Sequence, residues 1–271
     1  MGRPMSGTNS GEPAIAIDRL TVRFGATSER PVLAVDDVSL HIAQGEFVSL
    51  VGPSGCGKTT ILNLLTGLLT EPWQGKVELM GKAPAPGNPA LSYMLARDCL
   101  FPWRTALQNA SYGMELRKID PATRERRALD LLTRVGLADF VDKYPKMLSH
   151  GMRQRCALAR TFALDAPVLL MDEPFGALDA QTKLQLEDLL LGLWNEHRRT
   201  VVFVTHDLAE AVAMSDRVIV MCPRPGRILA DVKIDLERPR NIRALQQDRR
   251  FHEIYSHIWG LLESGVANDS K

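Results

Sequence analysis

Apolar residues follow two patterns along this chain, and each pattern predicts a different kind of strand. Residues 14–42 alternate between apolar and polar positions, which is typical of strands in a sheet with one solvated face. Other segments are short continuous apolar runs, as buried strands are. We predict buried strands at 45–51, 168–172, 200–204 and 217–221, and further strands at 76–80 and 91–95.

Helical patterns separate the buried strands. We expect these helices at 59–69, 180–196 and 207–215. Strands that alternate with helices indicate a parallel sheet with crossover connections. A strand followed by a glycine-rich turn and a helix, as at 45–69, is the opening of a doubly wound nucleotide-binding fold.

A helical block at 107–163 interrupts the strand pattern and predicts an inserted lobe, which we place at about 97–163. Pro121 suits the first turn of one of its helices. A last helix is predicted over 241–264, ending near Gly265. The chain is therefore divided into a disordered leader at 1–13, one domain at 14–234 and a short helical tail at 235–271.

Composition and charge exclude several functional classes. The 271 residues include 33 basic and 32 acidic side chains, and a net charge of +1 gives no electrostatic case for nucleic-acid binding. No apolar run approaches the roughly 20 residues that span a bilayer, and the first residues lack the apolar core of a secretory signal. Any membrane role is expected to be played from outside the bilayer. The arginine-rich runs are interpreted as solvated helix faces: 124–127, 198–199 and 249–250.

Cysteine spacing indicates a reducing compartment. The four cysteines are far apart in sequence, and no CxxC pair predicts a zinc site. A chain of 271 residues also needs no disulfide staples. The four cysteines are Cys56, Cys99, Cys156 and Cys222.

The sequence GPSGCGKTT at 52–60 matches the phosphate-binding P-loop pattern and lies between a predicted strand and a predicted helix. Its glycines let the backbone wrap around phosphate oxygens, and the helix N-terminus attracts the anion. Lys58 is expected to reach the β- and γ-phosphates, and Thr59 to place its hydroxyl on Mg²⁺. An ordinary glycine-rich turn is the alternative. The predicted nucleotide-binding residues here are Gly52, Pro53, Ser54, Gly55, Cys56, Gly57, Lys58, Thr59 and Thr60.

Cys56 lies inside this loop and has two interpretations. It is either a redox switch or a position that tolerates a small side chain. The second interpretation is favoured, because nothing in the sequence indicates a resolving thiol.

Two carboxylates follow the buried strand VLLMD and form a second candidate site. Asp172 suits the binding of Mg²⁺, directly or through water. Glu173 is expected to face the γ-phosphate and to polarise the attacking water. Acidic residues often end strands, but the P-loop earlier in the chain makes a catalytic role the stronger interpretation.

His206 follows the strand TVVFV, at the end of the sheet where such folds bind ligands. It is predicted to hydrogen-bond the γ-phosphate and to hold Glu173 and the water in place. A single histidine at a strand end is more often structural, and the neighbouring motifs reverse that expectation.

The segment LSHGMRQRCALAR at 148–160 completes a resemblance to the ABC transporter ATPase family, which covers nearly the whole chain from about Ala14. It resembles the signature motif of that family. The resemblance implies an α/β fold: a P-loop NTPase (RecA-like) core with an antiparallel β subdomain and an inserted helical subdomain. It also implies a head-to-tail dimer with a second ATPase subunit, expected to be a homodimer, in which Ser149 and Gly151 of one subunit bind the ATP of the other.

Other residues match the family by position. Phe24 falls where an aromatic ring stacks on adenine, and a core position is its alternative. Residues 176–179 resemble the D-loop that crosses the dimer interface, which implies a nucleotide-proximal role for Asp179. Glu173 resembles the catalytic glutamate of the family and His206 its switch histidine.

Two positions depart from the family pattern. His150 stands where the signature motif has its first glycine, so its side chain is expected either to crowd the γ-phosphate or to donate to it. Ala96 aligns with the Q-loop glutamine, which touches Mg²⁺ or water and senses the membrane partner. These departures put turnover rate and coupling in question, whereas Lys58, Asp172 and Glu173 are retained.

The stretch LFPWRT at 100–105 resembles the importer ATPases of the nitrate, sulfonate and taurine group, as do 236–240 and 251–263. This resemblance implies an ATPase on the cytoplasmic side of the inner membrane, with permease subunits that dock near Ala96–Arg104. An extracytoplasmic solute-binding protein is implied indirectly. Because the tail is short, we expect no regulatory domain of the kind that sugar-importer ATPases carry.

Three alternatives remain open at this stage. The aromatic residues at 101–103 either form a docking surface or plug the helical lobe. A soluble ABC ATPase that acts on DNA or ribosomes is the rival function, although such proteins usually carry two cassettes or a long coiled coil. A small-molecule kinase would use the same P-loop but gives no reason for the segment at 148–160.

Overall fold

The structure, a computed structural model, describes residues 12–25, 30–176 and 178–268. Most of the predicted leader, residues 1–11, and Ala177 of the D-loop-like segment lie outside the described residues. The strands are β1 Ile15–Phe24, β2 Val32–Ile42, β3 Phe47–Val51, β4 Trp73–Leu79, β5 Leu91–Met94, β6 Val168–Asp172, β7 Thr200–Val204, β8 Arg217–Met221 and β9 Ile228–Lys233. The helices are α1 Lys58–Leu65, α2 Ala106–Leu116, α3 Pro121–Arg134, α4 His150–Ala163, α5 Ala180–His197, α6 Leu208–Met214, α7 Ile242–Leu245 and α8 Arg249–Asn268.

A larger sheet carries the strands of the P-loop and the acidic site, in the order β5-β6-β7-β3-β8-β9. The pairs from β5 to β8 are parallel, as predicted, because crossover helices return the chain to the same end of the sheet. Both faces of these strands are covered, which explains their continuous apolar sequences. Leu169 and Met171 belong to the core beneath the helices, whereas Val168 and Leu170 belong to the core beneath the other sheet.

The second sheet is antiparallel, with the order β2-β1-β4, and confirms the strands predicted from the alternation at 14–42. Its inner face, with Ile15 and Ile17, packs into the core shared with α1. The α/β fold with an antiparallel β subdomain is therefore confirmed.

The edge strand β9 differs from the sequence prediction, which placed no strand at 228–233. It pairs antiparallel with β8, so the large sheet is mixed at this edge. The turn between the two strands is closed by the Cys222 N–H, which donates to the Arg227 carbonyl at 3.0 Å. Alternate residues of β9 remain exposed, and its apolar signal is correspondingly weak.

The helical block consists of α2, α3 and α4, which pack against one another and share one apolar core. Thr105 caps α2 by accepting the Gln108 N–H, and the Gln108 side chain accepts the Thr105 N–H in return. Pro121 begins α3, so its predicted place in the first turn is confirmed.

Two of the predicted helices differ in extent from those in the structure. Helix α1 ends at Leu65 and not at 69, because Gly67 adopts a left-handed backbone conformation (φ 73°) and its N–H bonds to the Leu64 carbonyl. The single helix predicted over 241–264 is divided into α7 and α8. Asp248 starts the second of these by accepting the N–H groups of Arg250 and Phe251.

The end predicted near Gly265 is also wrong, because α8 continues to Asn268. A Cβ on Gly265 would lie 2.9 Å from a methyl carbon of Leu229. The glycine therefore allows α8 to approach β9 closely and does not mark a helix terminus. Within the described ranges, every helix is too short or too polar to cross a membrane.

Candidate nucleotide site

The carboxyl ends of three neighbouring parallel strands, β6, β7 and β3, meet at one edge of the large sheet. The P-loop follows β3, Glu173 follows β6, and His206 lies just after β7. Segments that are far apart in sequence are brought together here, at the position where open α/β sheets bind ligands.

The P-loop wraps around its own lysine. Gly55 and Gly57 adopt positive φ angles of 81° and 93°, and Gly57 precedes the first residue of α1. The Lys58 ammonium donates to the carbonyl of Gly52 at 2.7 Å and to that of Pro53 at 3.1 Å, and its side chain is buried. This arrangement holds a fixed cation at the N-terminus of α1, where anions bind.

The Cys56 thiol is fully buried under the loop, 3.6 Å from the Lys58 ammonium. Burial raises the pKa of this thiol, although the nearby Lys58 charge opposes the shift. A buried thiol with a raised pKa is a poor nucleophile. The geometry therefore favours the space-filling interpretation of Cys56 over the redox switch.

A cleft of about 550 Å³ opens beside the P-loop, and Lys58 and Thr59 line it. Phe24, which is partly buried, lies in its wall at the end of β1, and Glu173 borders it. The cleft thus combines an aromatic ring, a phosphate-binding loop and a carboxylate. The predicted residues Ser54, Gly55, Gly57 and Thr60 also line it.

Arg224 lines the same cleft and was not singled out in the sequence. It lies in the turn between β8 and β9, and β8 is the neighbour of β3 in the sheet. The pattern that would have indicated it is the pair of arginines around Pro225 and Gly226, directly after a buried strand.

Thr59 and Asp172 lie together, with 3.3 Å between the hydroxyl oxygen and a carboxylate oxygen. Burial raises the pKa of Asp172, against the hydrogen bond from Thr59. Tyr93 of β5, which the sequence did not indicate, lies near this carboxylate, and burial followed by the Asp172 charge raises the pKa of its phenol. The Thr59 hydroxyl and the Asp172 carboxylate are hard oxygen ligands, and the negative charge of the carboxylate is only partly offset by its neighbours. Such a pair of ligands suits Mg²⁺.

Glu173 and His206 face each other, with 3.1 Å between a carboxylate oxygen and Nδ1 of the imidazole. Glu173 has a left-handed backbone (φ 45°), and its N–H donates to the Val204 carbonyl at 2.8 Å. That turn directs the carboxylate out of the sheet edge. Both side chains are solvent-accessible, so they can reach a bound ligand.

The signature-like segment forms the start of α4. Ser149 caps the helix by accepting the Met152 N–H at 3.2 Å, and His150 is exposed in its first turn. A Cβ on Gly151 would lie 2.8 Å from a methyl of Thr182, so this position accepts only glycine without a shift. Among the described residues that line the Lys58 cleft, none comes from 149–151.

Asp179 is likewise separate from the cleft lining. Its carboxylate caps α5 by accepting the Thr182 N–H at 3.0 Å, and this hydrogen bond lowers the pKa of Asp179. Its local role is therefore to begin the helix that packs beside the signature-like segment.

The segment around Ala96 is fastened to α4. Arg153 donates to the Asp98 carboxylate at 2.9 Å. Arg160 donates to the carbonyl oxygens of Cys99 and Asp98 at 2.7 and 2.6 Å. Ala96 and His150, the two departures from the family pattern, border one hollow of about 450 Å³.

The aromatic residues at 101–103 were expected either to form a docking surface or to plug the helical lobe, and the structure supports a different interpretation for each ring. Phe101 packs edge-on against Tyr112, with 4.5 Å between ring centroids. Trp103 is 70% exposed. The packed ring fits the structural interpretation, and the exposed indole fits a docking surface.

Comparison with known proteins identifies the class. The sequence profile of the family described as ABC transporter matches residues 35–176. An uncharacterized ABC transporter ATP-binding protein of Methanocaldococcus jannaschii is 43% identical over 257 residues, covering 95% of this chain and 94% of the relative. The chain belongs to the ABC transporter family, and it is an ATP-binding subunit with the ATPase activity of that class.

Two further similarities refine this assignment. The taurine import ATP-binding protein TauB of a Jannaschia species is 39% identical over 251 residues, covering 92% of this chain and 93% of the relative. A solved structure of the dimeric ATP-binding cassette MJ0796, in a post-hydrolysis state with ADP and Pi, superposes with a TM-score of 0.71 at 30% identity. That structure covers 82% of this chain and all of the other.

Proposed function

We propose that this subunit drives an ABC importer, coupling ATP binding and hydrolysis to solute transport through separate membrane permease subunits. The 39% identity to a protein named as a taurine import ATPase supports import, with a small sulfonate-like, taurine-like or nitrate-like anion as the cargo. The subunit would work at the cytoplasmic face of the inner membrane. An extracytoplasmic solute-binding protein would deliver the cargo, and nucleic acid has no part.

The observation that carries the catalytic proposal is the contact between Glu173 and His206 at the border of the Lys58 cleft. In this arrangement, Glu173 accepts a hydrogen bond from the attacking water and directs it at the γ-phosphate. His206 holds the carboxylate and donates toward the γ-phosphate oxygens. Lys58 offsets the negative charge that develops there.

The base of ATP is proposed to stack on Phe24 at the far wall of the cleft. The P-loop residues 52–60 would hold the phosphates through backbone N–H groups. The position of Phe24 in the lining of the cleft supports this role.

Mg²⁺ is proposed to bind between Thr59 and Asp172. Their oxygens are already within 3.3 Å of each other, and the buried carboxylate has a raised pKa that a nearby dication would reverse. Mg²⁺, when bound, offsets charge on the phosphates. Tyr93 lies beside Asp172, on the strand that neighbours β6.

A second copy of the chain is proposed to complete each site. Ser149 and Gly151 lie at an exposed helix N-terminus outside the cleft of their own chain, as expected for groups that serve a partner. Asp179, at the neighbouring helix start, would lie at the same interface. The dimeric state of MJ0796 supports this arrangement by similarity.

The permease subunits are proposed to dock on the segment Ala96–Arg104. Trp103 presents an exposed indole there, and aromatic side chains are frequent anchors at interfaces. The bonds from Arg153 and Arg160 connect this segment to α4, the helix that Ser149 caps. The proposed permease-docking segment and the proposed nucleotide-binding residues at the start of α4 are thereby linked within one subunit.

The test is Glu173→Gln. Because general-base catalysis contributes about 100-fold or more, turnover should fall by at least roughly 100-fold while ATP affinity stays within about twofold. ATP should also shift the variant from monomer to dimer in size-exclusion chromatography. The matched control is Glu125→Gln, at an exposed position on α3, which should keep normal turnover. Wild-type turnover in the Glu173 variant would refute the assignment.

A further inference from the structure

The turn that carries His206 is held by buried side chains on both sides. Thr205 is 2% exposed, and its hydroxyl donates to the Glu210 carboxylate and accepts the Asp207 N–H at 3.0 Å. Asp207 in turn accepts the Ala209 N–H at 2.8 Å at the start of α6. The backbone of His206 is therefore fixed by residues 205, 207 and 210.

Lys183 reaches this turn from a different helix. Its ammonium lies 2.6 Å from a carboxylate oxygen of Asp207 and 2.6 Å from one of Glu210. Lys183 lies in the first turn of α5, and its N–H donates to the carbonyl of Asp179 at 2.9 Å. A single side chain thus joins the start of α5 to the residues that flank His206.

Charge balance makes this link essential to the shape of the turn. Lys183 faces the carboxylates of Asp207 and Glu210, and the carboxyl group of Glu187 is buried one helical turn further along α5. Glu210 and Glu187 are each 3% exposed, whereas Asp207 is 36% exposed, and all three border a hollow of about 170 Å³ beside Lys183. Without Lys183 the carboxylates of Asp207 and Glu210 would repel each other with no cation between them, which would displace the turn that carries His206.

We propose that Lys183 is a positioning residue for hydrolysis, which holds His206 against Glu173 through Asp207, Glu210 and Thr205. This proposal rests on the role proposed above for His206. Lys183 itself need not touch the nucleotide: it sets the position of the imidazole, 3.1 Å from the Glu173 carboxylate, and thereby the alignment of the attacking water.

The experiment compares Lys183→Met with His206→Ala in the full chain, using ATP turnover and the binding of a fluorescent ATP analogue. In Lys183→Met, kcat should fall by about 10-fold to 100-fold, the loss expected when a reacting group is misplaced by up to about 1 Å. Nucleotide affinity should stay within about twofold, because the P-loop is not altered. Lys82→Met, at an exposed turn lysine, is the control and should change neither quantity.

Two further variants keep the test decisive if Lys183→Met folds poorly. Lys183→Arg preserves the charge and should restore at least part of kcat. Lys183→Met combined with Glu210→Gln removes one charge of each sign, so thermal stability should recover toward that of Glu210→Gln alone while kcat stays low. A normal kcat in a folded variant that lacks Lys183 would overturn the proposal.

The outcome for His206 separates this proposal from the function on which it rests. If His206→Ala retains normal turnover, the catalytic assignment itself is wrong. If His206→Ala loses turnover but loss of Lys183 lowers only stability, Lys183 is structural and the catalytic assignment stands.

Discussion

The guanidinium of Arg224 lies over Gly55 of the P-loop, with its terminal nitrogen 3.2 Å from the position that a Cβ on Gly55 would occupy. The two residues come from the ends of neighbouring strands, β8 and β3. A second cation besides Lys58 is thereby placed at the cleft, on a side chain that is itself exposed.

Arg224→Ala is expected to weaken ATP binding by about threefold to fivefold, because an exposed charge contact contributes up to about 1 kcal/mol. The loss should shrink as salt is raised, since an exposed pair is screened. Titration of a fluorescent ATP analogue at low and high salt measures both effects. Arg243→Ala, at an exposed position in α7, is the matched control. Equal affinities for the Arg224 variant and the wild type would exclude the contact.

Gly226 packs against the backbone of the P-loop at Cys56, and Gly226→Ala should distort that loop. A Cβ there would lie 2.0 Å from the Cys56 carbonyl oxygen, too close without a shift of the loop. We expect a loss of about 1–3 kcal/mol in the free energy of unfolding, the usual range for overpacking, together with weaker ATP binding. Thermal denaturation with and without ATP measures both.

Gly192 provides the opposite control for that substitution. It lies inside α5, and a Cβ there would meet no atom within 4 Å. Gly192→Ala should therefore raise stability by about 0.5–1 kcal/mol, because alanine favours the helix. If both glycine variants behaved alike, the close packing at Gly226 would not be the cause.

Glu187 predicts a pH dependence of stability. Burial, with a smaller contribution from the charge of Glu210, raises the pKa of Glu187 to about 8. The unfolded chain ionises first, so the free energy of unfolding falls as pH rises from about 4.3, the ordinary value of a glutamate, to about 8. Glu187→Gln removes this contribution and should raise the melting temperature more at pH 8 than at pH 5.

The neighbouring charges define the control for this experiment. Lys183 lowers the pKa of Glu187, whereas Glu210, Asp207 and Asp188 raise it, and of these Asp188 is exposed. Asp188→Asn should therefore leave the pH dependence nearly as in the wild type. A Glu187→Gln variant with an unchanged pH profile would show that this carboxyl group does not cause the slope.

Trp103→Ala should separate docking from hydrolysis. Its indole is 70% exposed, so the isolated subunit should keep its stability and its ATP turnover. Binding to the permease subunits in detergent should weaken by about tenfold or more if Trp103 is a central anchor. Leu116→Ala, which removes another exposed apolar side chain of the helical block, should bind normally. Unchanged binding of the Trp103 variant would move the docking surface elsewhere.

The sequence predicted the buried strands best. The segments at 168–172, 200–204 and 217–221 were correct to the residue, because continuous apolar runs are required where both faces of a strand are covered. The ends of α1 and α8 were less predictable. Gly67 terminates a helix and Gly265 lies inside one, and only the packing against Leu229 distinguishes the second case.

The motifs of the site were readable because each occupies one short segment with its own chemistry. Tyr93, Lys183 and Arg224 were missed because they act through tertiary proximity, from β5, α5 and the β8–β9 turn. None of the three belongs to a sequence motif that would identify the residues it contacts. The roles of Glu173 and His206 stay predictions until the variants are measured.

The anchoring of Asp98 by Arg153, together with the two bonds from Arg160, has a mechanical consequence. The loop before Trp103 is therefore bonded to α4 at two points, which lie two helical turns apart. A displacement of this loop relative to α4 would have to break these bonds, so we expect the two segments to move together. Loss of the Asp98 carboxylate would remove one of the two connections.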